Sequence, residues 1–228
     1  MKVVSLMVLG TVFAVGQVYA EDAAPKVDKD SVGYSIGFGL GRNLKTQGVD
    51  VNVDKLSRGI KDALSGAKPM MSQADMDKTM KDLNTQMMAQ QQEKMKSLGA
   101  KNKAEGEAFL ARNKTAAGVK TLPSGLQYQV IKAGNGKLPK ATDKVSVHYR
   151  GTLLDGKEFD SSYSRGTPVS FPVNEVIPGW TEALQLMKEG AKWKLFIPAS
   201  LAYGEQGNGG LIGPNTTLQF EVELLKIE

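Results

Sequence analysis

The distribution of proline divides this 228-residue chain into two parts that must fold differently. No proline occurs between Pro69 and Pro123, whereas seven of the nine prolines lie from Pro123 onward. Ten of the fifteen aromatic residues also follow Val119. Because proline is excluded from helix interiors and aromatic residues favour strands, the sequence predicts a helical part followed by a mainly β part.

The first twenty residues have the pattern of an export signal. Lys2 is the only charged residue before Glu21, and residues 3–18 are almost wholly apolar. The sequence VYA at 18–20 resembles a cleavage site. This apolar run of about sixteen residues is shorter than the roughly twenty that a membrane-spanning helix needs. We therefore expect residues 1–20 to be a cleaved signal peptide and the protein to be exported.

Composition excludes several kinds of chemistry. Without cysteine the chain forms no disulfide, thiolate zinc site or iron–sulfur cluster, and with His148 alone it forms no multi-histidine metal site. The net charge of +5 is spread along the chain without a basic tract, which is untypical of a nucleic-acid-binding protein. We therefore expect no metal, no cofactor and no nucleic-acid partner.

Two helices are expected before the proline-free stretch. Asp30 or Ser31 is a candidate cap for the first helix, which would end at Gly48. Asn52 is a candidate cap for the second helix, predicted over residues 53–64. Each helix has an apolar face, but two such short helices cannot bury a core alone.

The faces of these two helices predict a homodimer. The first helix carries a row of glycines, Gly33, Gly37 and Gly41, and the second an apolar face, Leu56, Ile60 and Leu64. Because a helical glycine costs about 1 kcal/mol relative to alanine, such a row indicates the close approach of another backbone. We therefore expect residues 21–70 to form a homodimer with a second copy of the chain.

A third, long helix is expected within residues 71–117. Ser72 and Asp75 resemble a capping box at its start. Seven of the ten methionines lie between Met70 and Met95. They form either a packing face or an adaptable surface for unfolded clients, since methionine fits irregular apolar shapes.

The second half of this helix has a different composition. Beyond Leu98 it consists mostly of lysine, glutamate, asparagine and alanine, which is typical of a solvated spacer. Gly99 and Gly106 are expected to be weak points of that spacer, because glycine destabilises helix interiors.

Residues 118–228 are expected to form a β-rich domain with about five strands and one short helix, which makes the fold class α+β. Alternating apolar segments predict the strands, and turns such as Asp155-Gly156 separate them. The predicted strands lie near 125–131, 144–154, 157–159, 192–198 and 216–227, and the helix lies within 176–188. An antiparallel sheet of this kind can wrap around the helix.

The polar residues of this domain form no recognisable hydrolytic site. His148 precedes Tyr149 on an alternating strand, so His148 faces solvent if Tyr149 points inward. Asp155, Glu158 and Asp160 are close in sequence, but nothing else in the sequence supports a glycosidase pair.

Aromatic residues are the stronger signal, and they lie in motifs typical of a family. The six are Tyr149, Phe159, Phe171, Trp180, Tyr203 and Phe220. Five of them lie in VHYRGTLLDGKEFDSS (147–162), VIPGW (176–180), LAYG (201–204) and TLQFEVELL (217–225). In this order, these segments resemble the signature of FKBP-type peptidyl-prolyl isomerases.

The helical part is similar to the N-terminal dimerisation region of the exported FKBPs of Gram-negative bacteria, of the macrophage infectivity potentiator type. The similar segments are SIG (35–37), GRNLK (41–45), QGVDVN (47–52), AFL (108–110) and LPSGLQY (122–128). The resemblance implies a homodimer in the periplasm, the outer membrane or at the cell surface. It also implies proline-containing polypeptide substrates and inhibition by macrolide immunosuppressants.

The resemblance implies the site residues as well. Asp160, Tyr203 and Phe159 are expected to be catalytic, with the Tyr203 hydroxyl donating to a substrate carbonyl. The residues expected to bind substrate are Tyr149, Phe171, Val176, Ile177, Trp180, Ile212 and Phe220. Among these, Trp180 would be the floor of a pocket, and Ile212 would lie on a loop that covers it.

The implied reaction suits these residues. Rotation about a prolyl amide has a barrier of roughly 18–20 kcal/mol because resonance is lost as the bond twists. A dry aromatic pocket stabilises the twisted, less polar amide without a nucleophile, metal or cofactor. Asp160, for which Arg165 is a candidate partner, either orders the pocket or polarises the amide. The non-catalytic alternatives are a periplasmic chaperone and a surface virulence module.

Overall fold

The computed structural model describes residues 26–228, so the predicted signal peptide lies outside the described residues. The chain separates into two compact units, one ending at Ser72 and the other spanning Gln73–Glu228. In the described part of the chain, no helix is both long and apolar enough to cross a membrane.

Helix α1 spans Lys29–Gln47 and begins earlier than expected. Its cap is Asp28, whose carboxylate accepts hydrogen bonds from the Ser31 backbone N–H at 2.8 Å and from the Ser31 hydroxyl at 2.6 Å. Asp30 and Ser31 lie inside the first turn, so the expectation that one of them is the cap is wrong. The end of the helix at Gly48, where φ is 70°, is as predicted.

Helix α2 spans Val53–Ser65 and matches its prediction closely. The Asn52 side chain accepts the Lys55 backbone N–H at 2.9 Å, which confirms the predicted cap. A groove of about 520 Å³ is lined by residues of α1 and α2. Neither helix contains a buried residue, so this pair of helices leaves most of its apolar surface accessible.

Helix α3 spans Gln73–Asn113 and has 41 residues. Its methionine-rich face is unevenly exposed: Met76 and Met87 are half-buried, whereas Met80 and Met88 are exposed. Packing and client binding therefore both stay open as interpretations of these methionines.

In the second half of α3 the charged residues are exposed, as expected of a solvated spacer, but one face of the helix is packed. Gly99 and Gly106 are buried, and a Cβ at Gly106 would lie 2.3 Å from Thr217 Oγ1. The rings of Phe109 and Phe196 lie 5.7 Å apart in the same region. The two glycines permit close contact with the rest of the unit instead of weakening the helix. Composition does not reveal this, because the contacting residues lie far along the chain.

The rest of this unit is built on a seven-stranded sheet, all of whose pairs are antiparallel. Its strands are β1 Val119–Thr121, β2 Gln127–Lys132, β3 Lys144–Thr152, β4 Glu158–Ser161, β5 Val169–Pro172, β6 Lys192–Ile197 and β7 Leu218–Ile227. They are ordered β1-β2-β6-β7-β3-β4, and β5 pairs with the first part of β3. The sequence predicted about five strands and the structure has seven, because β1 and β5, with three and four residues, are too short for an alternating pattern to identify them.

Helix α4 spans Pro178–Leu184 and is the short helix expected in this domain. Its buried side chains and those of the central strands belong to one hydrophobic core. That core includes Ala183, Leu184, Val145, Val147, Leu195 and Val222. The predicted α+β class, with helices first and an antiparallel sheet packed on a short helix last, is confirmed.

Candidate active site

A cavity of about 530 Å³ opens at the N-terminal end of α4. Its walls come from β3, β4, β5, α4, β7 and the segments that join them. The lining residues are Tyr149, Phe159, Asp160, Val169, Phe171, Glu175, Val176, Ile177, Trp180, Tyr203 and Phe220. Nine of the ten residues that the sequence suggested for the site are therefore brought together here.

Trp180 lies at the centre of an aromatic wall. It is the third residue of α4, and only 5% of its surface is exposed. Its ring centroid lies 5.1 Å from that of Phe220, 5.2 Å from that of Tyr149 and 5.6 Å from that of Phe171. The contacts with Phe220 and Tyr149 are edge to face, the arrangement that aromatic rings prefer. The Trp180 indole N–H is buried and has no hydrogen-bond partner among the described residues.

Gly151 makes room for the other side of this wall. Phe220 on β7 is the strand partner of Gly151 on β3, and the rings of Phe159 and Phe220 meet edge to face at 5.5 Å. A Cβ at Gly151 would lie 2.6 Å from Phe159 Cζ and 2.8 Å from Phe220 Cε1. The close approach of these two rings explains why a glycine lies inside β3, the strand that pairs with β4, β5 and β7.

A polar corner, formed by Tyr149, Asp160 and Arg165, lies beside the aromatic wall. The Tyr149 hydroxyl donates a short hydrogen bond to Asp160 Oδ2. Arg165 donates from Nη1 to Asp160 Oδ1 at 2.5 Å and from Nη2 to the Tyr149 hydroxyl oxygen at 2.8 Å. The candidate pairing of Arg165 with Asp160 is thereby confirmed, and both carboxylate oxygens of Asp160 accept hydrogen bonds within the chain.

These contacts set the charge of the polar corner. Burial alone would raise the pKa of Asp160, but the hydrogen bonds from Tyr149 and Arg165 outweigh it and hold that pKa below its ordinary value. Burial, together with the hydrogen bond to Asp160, raises the pKa of Tyr149 above its ordinary value. At neutral pH the corner therefore consists of a carboxylate, a guanidinium and a neutral phenol.

Tyr203 differs from Tyr149 in that its hydroxyl is free. It follows the short 3-10 turn Ala199–Leu201, and 40% of its surface is exposed. Its hydroxyl has no hydrogen-bond partner within residues 26–228. A free hydroxyl at the edge of an apolar cavity can donate a hydrogen bond to a carbonyl oxygen of a bound polypeptide.

Ile212 is the predicted site residue that does not line the cavity. Only 2% of its surface is exposed, and it belongs to the hydrophobic core. The Asn208 N–H donates to the Ile212 carbonyl at 3.0 Å, and the Ile212 N–H donates to Asn208 Oδ1 at 3.1 Å. These two bonds close a tight turn that directs Ile212 inward, so the expectation that it covers the pocket is not met.

Two lining residues are absent from the sequence prediction. Val169 lies on β5 two residues before Phe171, and therefore on the same face of that strand. Glu175 immediately precedes Val176, in the 3-10 turn Val173–Glu175. The spacing of two residues between Val169 and Phe171 would indicate Val169, but a segment of four residues is too short to be predicted as a strand.

His148 is not among the residues that line the cavity, as its alternation with Tyr149 on β3 predicts. It is half-buried instead of fully exposed, because its ring stacks on Tyr163 with centroids 4.8 Å apart. Its Nδ1 also lies 2.9 Å from Ser162 Oγ.

Within residues 26–228, no three histidine, cysteine, aspartate or glutamate side chains are grouped closely enough to hold a metal ion.

The arrangement defines a class of enzyme. An apolar cavity of this size accepts a short polypeptide segment, and its polar groups lie at the edge, where main-chain carbonyls of that segment would lie. Such a site can favour a distorted form of what it binds without a covalent step. A short helix on an antiparallel sheet, with this cavity at the helix start, is the arrangement that the resemblance to FKBP-type peptidyl-prolyl isomerases implies.

Comparisons with known proteins agree with this class. The family described as FKBP-type peptidyl-prolyl cis-trans isomerase matches residues 135–225, and the domain amino terminal to FKBP-type peptidyl-prolyl isomerase matches residues 29–130. The outer membrane protein MIP of Legionella longbeachae is 43% identical over 228 residues, covering 100% of this chain and 98% of the relative. The peptidyl-prolyl cis-trans isomerase Mip of Coxiella burnetii is 41% identical, covering 92% and 91%.

A solved structure extends the likeness to the fold. The crystal structure of FkpA from Escherichia coli has a TM-score of 0.74 and 43% sequence identity, covering 90% of this chain and 99% of that chain. The chain therefore belongs to the FKBP-type peptidyl-prolyl cis-trans isomerases. The resemblance stated from the sequence motifs is confirmed, and the protein is an enzyme of this activity.

Proposed function

We propose that this enzyme accelerates X–Pro rotation in exported proteins by holding the twisted amide against the aromatic wall. The observation that carries the proposal is the largely aromatic and aliphatic lining of the cavity. Trp180 is buried among three aromatic rings, and its indole N–H has no partner among the described residues. A twisted amide has lost resonance and part of its dipole, so such a cavity binds it better than the planar ground state.

We assign Asp160 to the ordering of the pocket. Its two carboxylate oxygens accept hydrogen bonds from Tyr149 and Arg165, which anchor the carboxylate within the chain. The same bonds fix the Tyr149 ring, which meets Trp180 edge to face at 5.2 Å. Asp160 thus acts by holding the aromatic wall in one arrangement.

The remaining roles follow from position on the cavity. The free hydroxyl of Tyr203 donates a hydrogen bond to the carbonyl of the residue before proline. This bond keeps that residue from rotating together with the proline ring. The side chains proposed to contact the proline and its neighbours are Phe159, Phe171, Val176, Ile177 and Phe220, with Trp180 as the floor.

The test is a protease-coupled assay on a short proline peptide with two variants and two matched controls. Asp160→Ala and Tyr203→Phe should each lower kcat/KM by about tenfold, equivalent to about 1.4 kcal/mol. Asp143→Ala removes a carboxylate from a surface turn, and Tyr128→Phe removes a hydroxyl from a ring stacked on Trp193 outside the cavity. Both controls should keep wild-type activity. Full activity in either site variant would remove that residue from the mechanism.

We infer that macrolide immunosuppressants bind the same cavity. Trp180 lies in its wall, whereas Trp193, the other tryptophan, stacks on Tyr128 with ring centroids 4.2 Å apart and does not line it. In a Trp193→Phe variant, fluorescence therefore reports Trp180 alone. Titration with the inhibitor should change this fluorescence and abolish activity together. No change of either at saturation would contradict the inference.

We further propose a homodimer formed through residues 21–70. The glycine row of α1 supports it, because a Cβ built on Gly33, Gly37 or Gly41 would meet no atom of residues 26–228 within 4 Å beyond its chain neighbours and the adjacent backbone of its own helix. That open row is free for the backbone of a second copy. The match of residues 29–130 to the domain amino terminal to the isomerase also supports this assignment.

The rest of the proposed organisation follows the chain. Residues 1–20 direct export and are removed, residues 71–117 contain the connecting helix, and residues 118–228 form the isomerase domain. We place the protein in the periplasm or outer membrane of a Gram-negative bacterium, and a relative bearing the name outer membrane protein supports that location. The exposure of Met80 and Met88 on α3 supports an added chaperone role, since methionine adapts to irregular apolar clients.

A further inference from the structure

The second half of α3 holds the loop that leaves the active site. This 204–217 loop begins directly after Tyr203 and ends where β7 starts. Asn102 of α3 is half-buried and donates from Nδ2 to the Pro214 carbonyl at 2.8 Å and to Thr216 Oγ1 at 3.2 Å. These bonds attach the far end of the loop to the helix.

Small residues bring the helix and the loop together. A Cβ at Gly99 would lie 3.3 Å from Pro214 Cβ, and a Cβ at Gly213 would lie 3.3 Å from Asn102 Nδ2. A cavity of about 300 Å³ lies beside this contact, with Leu211 of the loop among the residues that line it. The helix therefore contacts the loop at Gly99, Asn102 and Gly106, and of these Asn102 is the one that holds it by side-chain hydrogen bonds.

The attached end of the loop is hydrogen-bonded to its other end, which directly follows Tyr203. Asn215 lies between the two loop residues that Asn102 holds, and its N–H donates to the Gly204 carbonyl at 2.8 Å. Asn215 has φ of 54°, in the left-handed region that asparagine tolerates better than most residues. Gly204 is the neighbour of Tyr203. A continuous set of contacts thus leads from Asn102 to the cavity edge.

We propose that Asn102 is a positioning residue for Tyr203, so that the long helix sets the geometry of one edge of the active site. This inference rests on the role proposed above for Tyr203. The Tyr203 hydroxyl has no partner of its own among the described residues, so its location depends on the backbone that carries it. Loss of the Asn102 bonds frees the Pro214 end of the loop to shift, and small misplacements of a substrate-positioning group lower the rate.

The test compares Asn102→Ala with Asn113→Ala in the full-length protein. Asn113 is a matched control, because it is also half-buried on α3 and donates from Nδ2 to Gln127 Oε1 at 2.8 Å, away from the loop. Each variant loses hydrogen bonding between the helix and the domain, so both should lower the melting temperature. Asn102→Ala should lower kcat/KM by about fivefold, equivalent to about 1 kcal/mol, while Asn113→Ala leaves it unchanged.

A double-mutant cycle separates positioning from general destabilisation. In a Tyr203→Phe background, Asn102→Ala should cost little further activity, because the hydroxyl that it positions is gone. Equal activity losses in Asn102→Ala and Asn113→Ala would overturn the inference, and so would a fivefold loss that persists in the Tyr203→Phe background. The inference would also be overturned if Asn102→Ala kept full activity while Tyr203→Phe lost it. That outcome would leave the proposed role of Tyr203 intact. Full activity of Tyr203→Phe would instead contradict that role itself.

A second variant covers the case in which Asn102→Ala does not fold. Thr216→Val preserves shape and removes one acceptor of Asn102 from the loop side. It should lower kcat/KM in the same direction by a smaller factor, again only when Tyr203 is present. An unchanged kcat/KM in Thr216→Val, together with wild-type exchange of the Asn215 amide hydrogen, would count against the inference.

Discussion

The isomerase domain and the helices α1 and α2 differ in how far each completes its own packing. In the isomerase domain, Leu184 and Leu195 are fully buried in one core, and the residues that line the cavity all lie between Tyr149 and Phe220. In α1 and α2 no residue is buried, and Tyr34 and Leu64 expose 74% and 86% of their surface. Hydrophobic burial is the main driving force of folding, so the first region is complete by itself and the second calls for a partner. Catalysis and assembly should therefore be separable in this protein.

The largest expected effect is the loss of the proposed dimer without a loss of catalytic activity. Replacing Ile60 with aspartate puts a charge on the proposed dimer face, where its burial would strongly destabilise the dimer. We expect the variant to be monomeric by light scattering at micromolar concentration, with wild-type kcat/KM on a short peptide. Its activity on a slowly folding protein should fall more than its activity on a short peptide, because two linked domains raise the effective concentration of the second binding event.

Lys61→Asp is the matched control, since it places the same charge on the adjacent exposed residue of α2 and should leave the dimer intact. A wild-type protein that is monomeric under these conditions would contradict the proposed dimer. Loss of peptide activity in the Ile60→Asp monomer would contradict the separation of assembly from catalysis.

The same substitution should have opposite effects in the two regions. Gly151→Ala forces a Cβ to within 2.6 Å of the Phe159 ring, and we expect a loss of up to about 3 kcal/mol of stability with at least tenfold lower activity. Gly39→Ala on α1 meets no atom within 4 Å and should raise helix stability by about 1 kcal/mol. Urea denaturation measures the stability of both variants, and the peptide assay measures their activity. A neutral Gly151→Ala would show that the aromatic wall tolerates rearrangement.

A smaller effect tests where the isomerase domain begins. A fragment starting at residue 118 should be active but about 2 kcal/mol less stable than one starting at residue 98. The shorter fragment lacks Phe109, whose ring meets Phe196, and Leu110, whose carbonyl accepts from Gln127 Nε2 at 2.9 Å. The free energy of unfolding in urea decides the comparison. Equal stability of the two fragments would mean that the end of α3 contributes nothing to the domain.

The smallest expected effect is on the pH dependence. The pKa of Asp160 is lowered in the folded protein, so its contribution to stability is fully present above the ordinary aspartate pKa of about 3.9 and is lost as pH falls through the lower folded value. We expect kcat/KM, measured without a coupling protease by NMR exchange, to be flat from pH 8 to about pH 4 and to fall below that. Asp160→Asn should show no such fall. An inflection in the wild type above pH 5 would contradict an ionised, hydrogen-bonded Asp160.

The sequence predicted the ends of α2 and the end of α1 because helix ends depend on side chains within a few residues. Asn52 caps its own helix, and Gly48 adopts a positive φ next to the last turn of α1. The start of α1 was harder, because Asp28, Asp30 and Ser31 are all good capping residues within four positions. In such a cluster, only the observed hydrogen bonds identify the cap.

By itself, the sequence determined the order of helical and β parts, and its motif resemblance to the FKBP family implied nine of the eleven residues around the cavity. Proline placement, periodicity and short motifs carry this information, and all of them are local along the chain. Only the tertiary structure decided that Gly106 is a packing site, that Ile212 turns inward and that Arg165 completes the polar corner. Each of these depends on distances between groups that meet through the fold, and no local pattern encodes such distances.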